Sequence, residues 1–312
     1  MAGNKHHFVP RLYLRRFNDN KENRELIWVF NKIYQEVKEK GLMGVGVEEF
    51  FYRFSKDEIR EIKKEFMNEE IESNVLDDFF TNQIEPMFTQ SLDKIIELYS
   101  VQGNQFILSD SDLPQLADCI AFQYLRTKSY RNGIKSNFEN FLERILGNDS
   151  VAEILNFYDN RQVLEHAKWI FRRANILSEK LVKDYYWILY ENHTRIPFYT
   201  SDSPVVAWAL DRNGKLGQVI HETTFEIDEY SFPITNSLLL VLARKSEAIF
   251  EILNHGKVNL LSNEANVKFY NEGQLHSCFQ QVFSSSNNFD MFNGLYGQLP
   301  NGTAPKINLP SV

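Results

Sequence analysis

The pattern of apolar residues changes near residue 184, and this change limits the folds that are open to the chain. Over residues 56–99, apolar residues recur at spacings of three and four, the period of a helix with one buried face. After Asp184, short runs of branched and aromatic residues lie between turn-forming residues, as they do in strands. The sequence therefore predicts an α+β fold, with a helical middle segment followed by a mainly antiparallel sheet.

A hairpin is predicted ahead of the helices. Residues 25–30 and 34–37 have the composition of two strands joined by a short polar turn. We expect this N-terminal hairpin to join the C-terminal sheet, with the helical segment packed on one face. Later signals include a tight turn at Asn213 and Gly214 and a helix cap at Asn263.

Length and composition favour one large domain over residues 1–312, since 43% of the residues are hydrophobic and can form a sizeable core. Residues 1–55 would hold the first motif and the hairpin, 56–183 the helical segment, and 184–292 most of the strands. The Gly- and Pro-containing residues 293–312 are expected to be a loosely ordered tail.

The sequence shows no membrane partner and no secretory signal. Its longest apolar runs are far shorter than the roughly 20 residues of a membrane-spanning helix. The N-terminus has no apolar stretch with a small-residue cleavage site. We therefore predict a cytoplasmic protein, and the sequence leaves homo-oligomerisation open.

Charge and cysteine content restrict the partners and cofactors. The formal charge of −8 argues against a protein that coats nucleic acid by bulk attraction, yet residues 119–137 contain four bases and no acid. Nucleic acid or a nucleotide is therefore an expected partner. Two isolated cysteines cannot form a zinc ribbon, so any metal would be bound by His, Asp, Glu or Asn. The glycine patterns of nucleotide-cofactor sites are absent, and no such cofactor is expected.

The opening segment contains the strongest candidate for a functional site. His6 and His7 are adjacent, and Lys5 and Arg11 lie beside them without a neighbouring acid. Imidazole binds metals and exchanges protons near neutral pH. In an extended segment the two rings would point to opposite faces, so at most one is expected to face a given site. The alternative is that both histidines are structural.

A second candidate lies at Thr200, Ser201 and Asp202, just before Pro204 and the next strand. Asp202 is the preferred carboxylate, because a short acid at a strand entrance can bind a cation or orient a histidine. The alternative is a local turn in which these side chains bind backbone amides.

Gln123 and Arg126 lie one turn apart on the helix predicted to begin near residues 111–114. Gln123 falls on the buried stripe of this helix, so its amide needs a partner. Arg126 is expected either to bind a phosphate or carboxylate of a ligand or to form an internal ion pair with Asp202.

Five separated blocks of the chain resemble domain-of-unknown-function family 4238, a bacterial family. The resemblance covers most of the chain and implies no activity, cofactor or catalytic residue. The matching residues are His6, His7, Pro10, Tyr13, Leu14 and Phe17, then Phe50, Phe51 and Tyr52, then residues 123–127, 198–205 and 232–233.

The segment from His6 to Arg11 is also locally similar to the first strand of nucleases with a ββα metal fold. The leading hypothesis is a metal-assisted phosphodiester hydrolase, nuclease-like and suited to a bacterial defence effector, that uses Mg²⁺ or Mn²⁺. The alternatives are a non-catalytic module that binds nucleic acid or protein, and a metal-independent transferase. The predicted residues are His6, His7 and Asp202 for catalysis; His7, Asp202 and Asn263 for the metal; and Lys5, Arg11, Gln123, Arg126, Thr200 and Ser201 for the substrate.

Overall fold

A computed structural model describes residues 4–18, 25–102, 107–146, 151–210, 216–219, 226–246 and 249–293. The first elements are β1 (Lys5–His7), α1 (Arg11–Leu14), β2 (Leu26–Asn31), β3 (Glu36–Gly41) and β4 (Val47–Glu49). The helical segment follows as α2 (Lys56–Phe66), α3 (Val75–Phe79), α4 (Glu85–Gln102), α5 (Leu113–Leu125), α6 (Lys128–Leu146), α7 (Val151–Asp159) and α8 (Gln162–Asp184). The last elements are β5 (Tyr185–Asn192), β6 (Thr200–Ser201), β7 (Val206–Leu210), β8 (Leu216–Val219), β9 (Glu229–Pro233), β10 (Leu238–Arg244), α9 (Ile249–Asn254), β11 (Val258–Leu261), α10 (Glu264–Ser277) and β12 (Gln281–Ser284). This order confirms the α+β class.

The chain divides into two compact units. The first consists of Met1–Pro10 and Gly46–Tyr185, and it contains helices α2 to α8. The second consists of Arg11–Val45 and Tyr186–Val312, and it contains the two larger sheets. The chain enters the second unit after Pro10 and returns to the first at Gly46, so the opening motif is shared between the units.

In the first unit, β1 pairs with β4 in antiparallel register, and His6 lies opposite Glu48. Gly46 makes the approach to this ladder possible. Its carbonyl accepts hydrogen bonds from the backbone N–H groups of Phe8 (3.0 Å) and Val9 (3.3 Å). Its φ is +57°, and a Cβ added there would lie 2.9 Å from the Val9 Cβ, so a side chain would be strained at this position.

One buried carboxylate begins α2 and joins it to α8. Ser55 Oγ accepts from the Glu58 backbone N–H (3.2 Å), and Glu58 Oε2 accepts from the Ser55 N–H (2.6 Å), which forms a capping box. The other oxygen, Oε1, accepts from the backbone N–H of Leu164 on α8 at 2.9 Å. Glu58 therefore stabilises two helix starts at once.

A π-helical turn over Phe80–Ile84 joins α3 to α4, at the place where a kink is predicted for Pro86. Proline lacks an N–H, and the wider turn accommodates the missing bond. The turn also directs ring contacts: Phe80 packs on Tyr52 with ring centroids 4.9 Å apart, and Phe79 packs on Phe122 at 5.5 Å. These rings form much of the core beside β1.

In the second unit, one sheet has the strand order β3-β2-β12-β6. It confirms that the N-terminal hairpin joins C-terminal strands. The other sheet has the order β11-β5-β10-β9-β7-β8 and is antiparallel except for the parallel pair β11 and β5. The turn predicted at Asn213 and Gly214 lies outside the described residues, although β7 and β8 pair on either side of it. The predicted tail lies outside the described residues from residue 294 onward.

Helix α10 packs on the six-stranded sheet at Gly273. A Cβ at this position would lie 2.4 Å from Cζ2 of Trp208 on β7, so only glycine lets the helix approach the indole. Trp208 also stacks on Phe269 at 4.4 Å and donates to Ser231 Oγ at 2.9 Å. Among the described residues, no helix combines the length and the apolar character needed to cross a membrane.

Candidate active site

His6 is the buried histidine of the opening motif, with 1% of its surface exposed. Its Nδ1 accepts a hydrogen bond from the backbone N–H of Tyr52 at 2.9 Å, and its ring lies nearly parallel to the Tyr52 ring. Because Nδ1 is an acceptor here, the neutral ring carries its proton on Nε2. The fold therefore sets both the orientation and the tautomer of this imidazole.

Two oppositely charged side chains act most strongly on His6. Burial lowers the pKa of His6, the half-buried Asp77 raises it again, and the exposed Arg53 lowers it. Burial in turn raises the pKa of Asp77, and His6 opposes that shift. The pKa values of the imidazole and the carboxyl thus move toward each other, which lowers the free-energy difference for a proton moving between them. Such pairs are common at catalytic centres.

Arg126 is buried, with 1% of its surface exposed, and the chain itself uses its donors. Nη2 pairs with Glu85 Oε1 at 2.8 Å and also donates to the His7 carbonyl oxygen, while Nε donates to the Tyr52 hydroxyl at 3.1 Å. The guanidinium lies 4.3 Å from the centroid of the Phe80 ring. The internal ion pair that we expected for Arg126 is therefore made with Glu85 and not with Asp202.

Gln123 lies one turn before Arg126 and binds the next carbonyl of the same strand. Its Nε2 donates to the Phe8 carbonyl oxygen at 3.0 Å, and 2% of its surface is exposed. The two polar side chains on the buried stripe of α5 thus hold the carbonyls of His7 and Phe8. Gln123 Oε1 is buried and forms no hydrogen bond to any described residue, so it remains an acceptor that a bound donor could use.

His7 is only partly buried and, as strand alternation predicts, lies on the face of β1 opposite to His6. Its Cα pairs with Val47. Lys5 is exposed and pairs with Glu49 in the same ladder. Of the three, His6 alone has the burial and fixed geometry of a proton-transfer group.

Asp202 belongs to the second unit and is 2% exposed. Oδ1 accepts from the backbone N–H of Phe279 at 2.7 Å, and Oδ2 accepts from those of Gln280 and Gln281 at 2.8 and 2.9 Å. Burial raises the pKa of Asp202 to about 6, while the three N–H donors lower it. Near neutral pH the carboxylate is ionised, and its oxygens are used by the chain after α10.

The hydroxyls beside Asp202 are also used internally. Thr200 Oγ1 shares a 2.7 Å hydrogen bond with the Tyr13 hydroxyl, which donates to the Pro233 carbonyl oxygen at 2.7 Å. Ser201 Oγ donates to Gln274 Oε1 at 2.7 Å. These bonds connect the opening motif to the second motif within one unit.

Arg11, predicted to contact substrate, pairs with Glu25 at 2.9 Å. Arg15 pairs with the same carboxylate, so Glu25 receives two guanidinium groups. The hydrogen bond from Arg11 and, against a small opposing effect of burial, that from Arg15 lower the pKa of Glu25. Arg11 thus helps fix the polypeptide between α1 and β2.

The predicted metal ligands do not fit a shared ion. Asn263 is exposed and caps α10, where its Oδ1 accepts from the Ala265 N–H at 2.9 Å. Asp202 binds the residues that follow the other end of this 14-residue helix, which is about 20 Å long. Among the described residues, no group of three His, Cys, Asp or Glu side chains is arranged to bind a metal.

The predicted site residues thus fall into two sets. Lys5, His6, His7, Gln123 and Arg126 belong to the first unit, whereas Arg11, Thr200, Ser201, Asp202 and Asn263 belong to the second. Within the first set, the sequence did not single out Asp77, Arg53 or Glu85. The one signal for Asp77 is its place next to Leu76 and three residues before Phe80, both of which are buried.

The family model described as "Protein of unknown function (DUF4238)" matches residues 5–288. No curated protein and no solved structure matches the chain.

Proposed function

The chain belongs to the DUF4238 family, and from this premise we propose that it hydrolyses phosphodiester bonds in nucleic acid or a nucleotide, with His6 as the proton acceptor. The observation that carries the proposal is the environment of His6. Its ring is buried and held at Nδ1 by a backbone N–H, while Asp77 and Arg53 act on it electrostatically. A core histidine has no need of an acid and a surface arginine near it.

The proposed reaction uses one water molecule and two proton transfers. The neutral His6 imidazole takes a proton from water as the water oxygen bonds to phosphorus. The bond from phosphorus to the leaving oxygen breaks, and Asp77, whose pKa is raised by burial, donates a proton to that oxygen. A proton then passes from the imidazolium to the Asp77 carboxylate, which restores both groups. Arg53, exposed at this site, would bind the phosphate.

Mg²⁺ or Mn²⁺ stays part of the proposal as a condition to test. The oxygens of Asp202 and Asn263 are bound to backbone N–H groups, so these residues are poor ligands, and no step above depends on a metal ion. We place the activity in the cytoplasm, in keeping with the buried, unpaired thiols of Cys119 and Cys278. A nuclease of a bacterial family would suit defence against phage.

A second candidate function is a non-catalytic module that binds nucleic acid or protein. It is favoured by the complete internal pairing of the second motif. Asp202 accepts from three backbone N–H groups, and Thr200 and Ser201 are both bonded to other side chains. On this alternative, the motif residues of both units serve the fold alone.

Cleavage assays on single- and double-stranded DNA, RNA and a small phosphodiester, with Mg²⁺, Mn²⁺ or a chelator, distinguish the two functions. We expect His6→Gln and Asp77→Asn to lower the rate by about 10²-fold or more, the usual contribution of a general acid or base. His193→Gln is the matched control, because His193 is exposed and paired with Glu191. Binding of oligonucleotides without cleavage under every condition, or full activity of folded His6→Gln, would refute the hydrolase.

A further inference from the structure

The six-stranded sheet of the second unit holds two acidic side chains that no described cation balances. Glu229 lies on β9 and Glu251 on α9. Neither forms an ion pair with a described Lys, Arg or His, and Glu229 Oε1 and Glu251 Oε2 are buried without a hydrogen bond to any described residue. A buried carboxylate without a partner is strongly unfavourable. The arrangement therefore calls for a positively charged group.

The two carboxylates are close to the same tyrosine. The negative charges of both Glu229 and Glu251 act on the Tyr190 hydroxyl, and Tyr190 lies on β5 of this sheet. Tyr270 of α10 is hydrogen-bonded to the Glu229 carboxyl and is also affected by Tyr190. Tyr190, Tyr270 and the two acids thus form one cluster, here called the acid–tyrosine cluster.

Asn259 adds an independent sign of a missing ligand. It lies on β11 in direct parallel register with Tyr190, so the two side chains project from the same face of the sheet. Its Nδ2 is buried and, among the described residues, forms no hydrogen bond. The cluster therefore has two unsatisfied acceptors and one unsatisfied donor. The Glu229 carboxyl is almost wholly buried, so bulk water does not explain these vacancies.

The surrounding groups suit an organic cation better than a metal ion. Burial raises the pKa of Glu229 to about 7 and that of Tyr190 to about 12, and a bound cation would lower both. Tyrosine and tryptophan rings attract cations, and Trp208 contacts Tyr270 at 6.4 Å. Mg²⁺ and Ca²⁺ take six or more oxygen ligands, which two carboxylates and two phenols do not supply.

We propose that the acid–tyrosine cluster binds a small organic ammonium compound, with the ammonium group between Glu229 and Glu251. A carbonyl oxygen next to that ammonium group would accept from Asn259 Nδ2. The ligand class is thus an α-amino carbonyl compound, such as an amino-acid amide. This site is separate from the hydrolase chemistry of the first unit and does not depend on it.

The test is thermal unfolding of the full chain with matched probes at constant ionic strength. Glycinamide has both the ammonium and the carbonyl, methylammonium has only the cation, and acetamide has only the carbonyl. We expect glycinamide at ten times its Kd to raise the Tm by roughly 3 to 6 °C. Methylammonium should raise it less, and acetamide should leave it unchanged.

Variants identify the site. Glu229→Gln and Glu251→Gln keep the side-chain shape and should abolish the glycinamide shift, while Glu264→Gln, at an exposed acid on the same unit, should keep it. Asn259→Leu should reduce the effect of glycinamide to that of methylammonium. Circular dichroism and direct calorimetric titration confirm folding and binding. The proposal is overturned if no ammonium probe shifts the wild-type Tm, or if MgCl₂ alone gives the shift that both Gln variants lose.

Discussion

Tyr13 and Thr200 share a hydrogen bond of 2.7 Å although 187 positions separate them in the chain. Both side chains are fully buried, and the Tyr13 hydroxyl also donates to the Pro233 carbonyl oxygen. The Tyr13 ring stacks on Phe232 at 5.2 Å. One phenol thus connects three blocks of residues that carry the family resemblance, which explains why a tyrosine, and not phenylalanine, suits the opening motif.

Tyr13→Phe should destabilise the second unit. The substitution leaves the Pro233 carbonyl and the Thr200 hydroxyl buried without this partner, and such groups cost about 1–3 kcal/mol. Urea unfolding followed by tryptophan fluorescence would measure the loss. Tyr34→Phe is the control, because Tyr34 is 70% exposed. Equal midpoints for Tyr13→Phe and wild type would show that the bond contributes nothing.

Asp202→Asn should lower stability without altering the proposed chemistry. The amide offers one acceptor oxygen where the carboxylate receives three backbone N–H groups, and its NH₂ group would face a donor. We expect a loss of about 2–4 kcal/mol in the free energy of unfolding. Any phosphodiesterase activity, expressed per folded molecule, should stay within about twofold of wild type. A 10²-fold loss of activity in a fully folded Asp202→Asn protein would instead assign Asp202 to catalysis.

The sequence predicted elements better than it predicted partners. The capping role of Asn263 and the union of the N-terminal hairpin with C-terminal strands follow from local signals and are confirmed. Periodicity and cap chemistry act over a few residues, so one sequence contains them in full.

The partners of the site residues depend on distant positions. Arg126 binds Glu85, 41 positions away, and His6 accepts from the N–H of Tyr52, 46 positions away. Asp202 binds backbone N–H groups, which every residue but proline has, so no side-chain pattern could reveal them. The sequence could therefore indicate that these polar residues need partners, but not which partners they have.

Gly273→Ala should destabilise the packing of α10 on the six-stranded sheet. The new Cβ would meet Trp208 Cζ2 at 2.4 Å and Cη2 at 2.6 Å, and the indole is held by Ser231 and Phe269. Overpacking of this kind costs about 1–3 kcal/mol, more than alanine gains in helix propensity. The matched control is Gly44→Ala, where the Cβ meets nothing within 4 Å. A Tm for Gly273→Ala equal to that of Gly44→Ala would mean that Trp208 moves aside freely.

His166 should make the first unit sensitive to acid. It is fully buried: Nδ1 accepts from Arg131 Nε at 2.9 Å, and Nε2 lies 2.8 Å from the Leu125 carbonyl oxygen. Nδ1 therefore has no proton, and the ring is neutral. Burial, and then the positive charge of Arg131, lower its pKa well below the ordinary value. In the unfolded chain the imidazole regains a pKa of about 6.5.

Between those two pKa values the unfolded state binds more protons than the folded state, so stability rises with pH. The contribution of His166 is complete above about pH 6.5 and is lost as the pH falls below it. The raised pKa values of Asp202 and Glu229 act in the opposite direction, because the folded state then holds the extra protons. The difference in unfolding free energy between wild type and His166→Gln removes those shared terms. We expect this difference to shrink as the pH falls from 7 to about 5, and a difference independent of pH would show that His166 is protonated in the folded state.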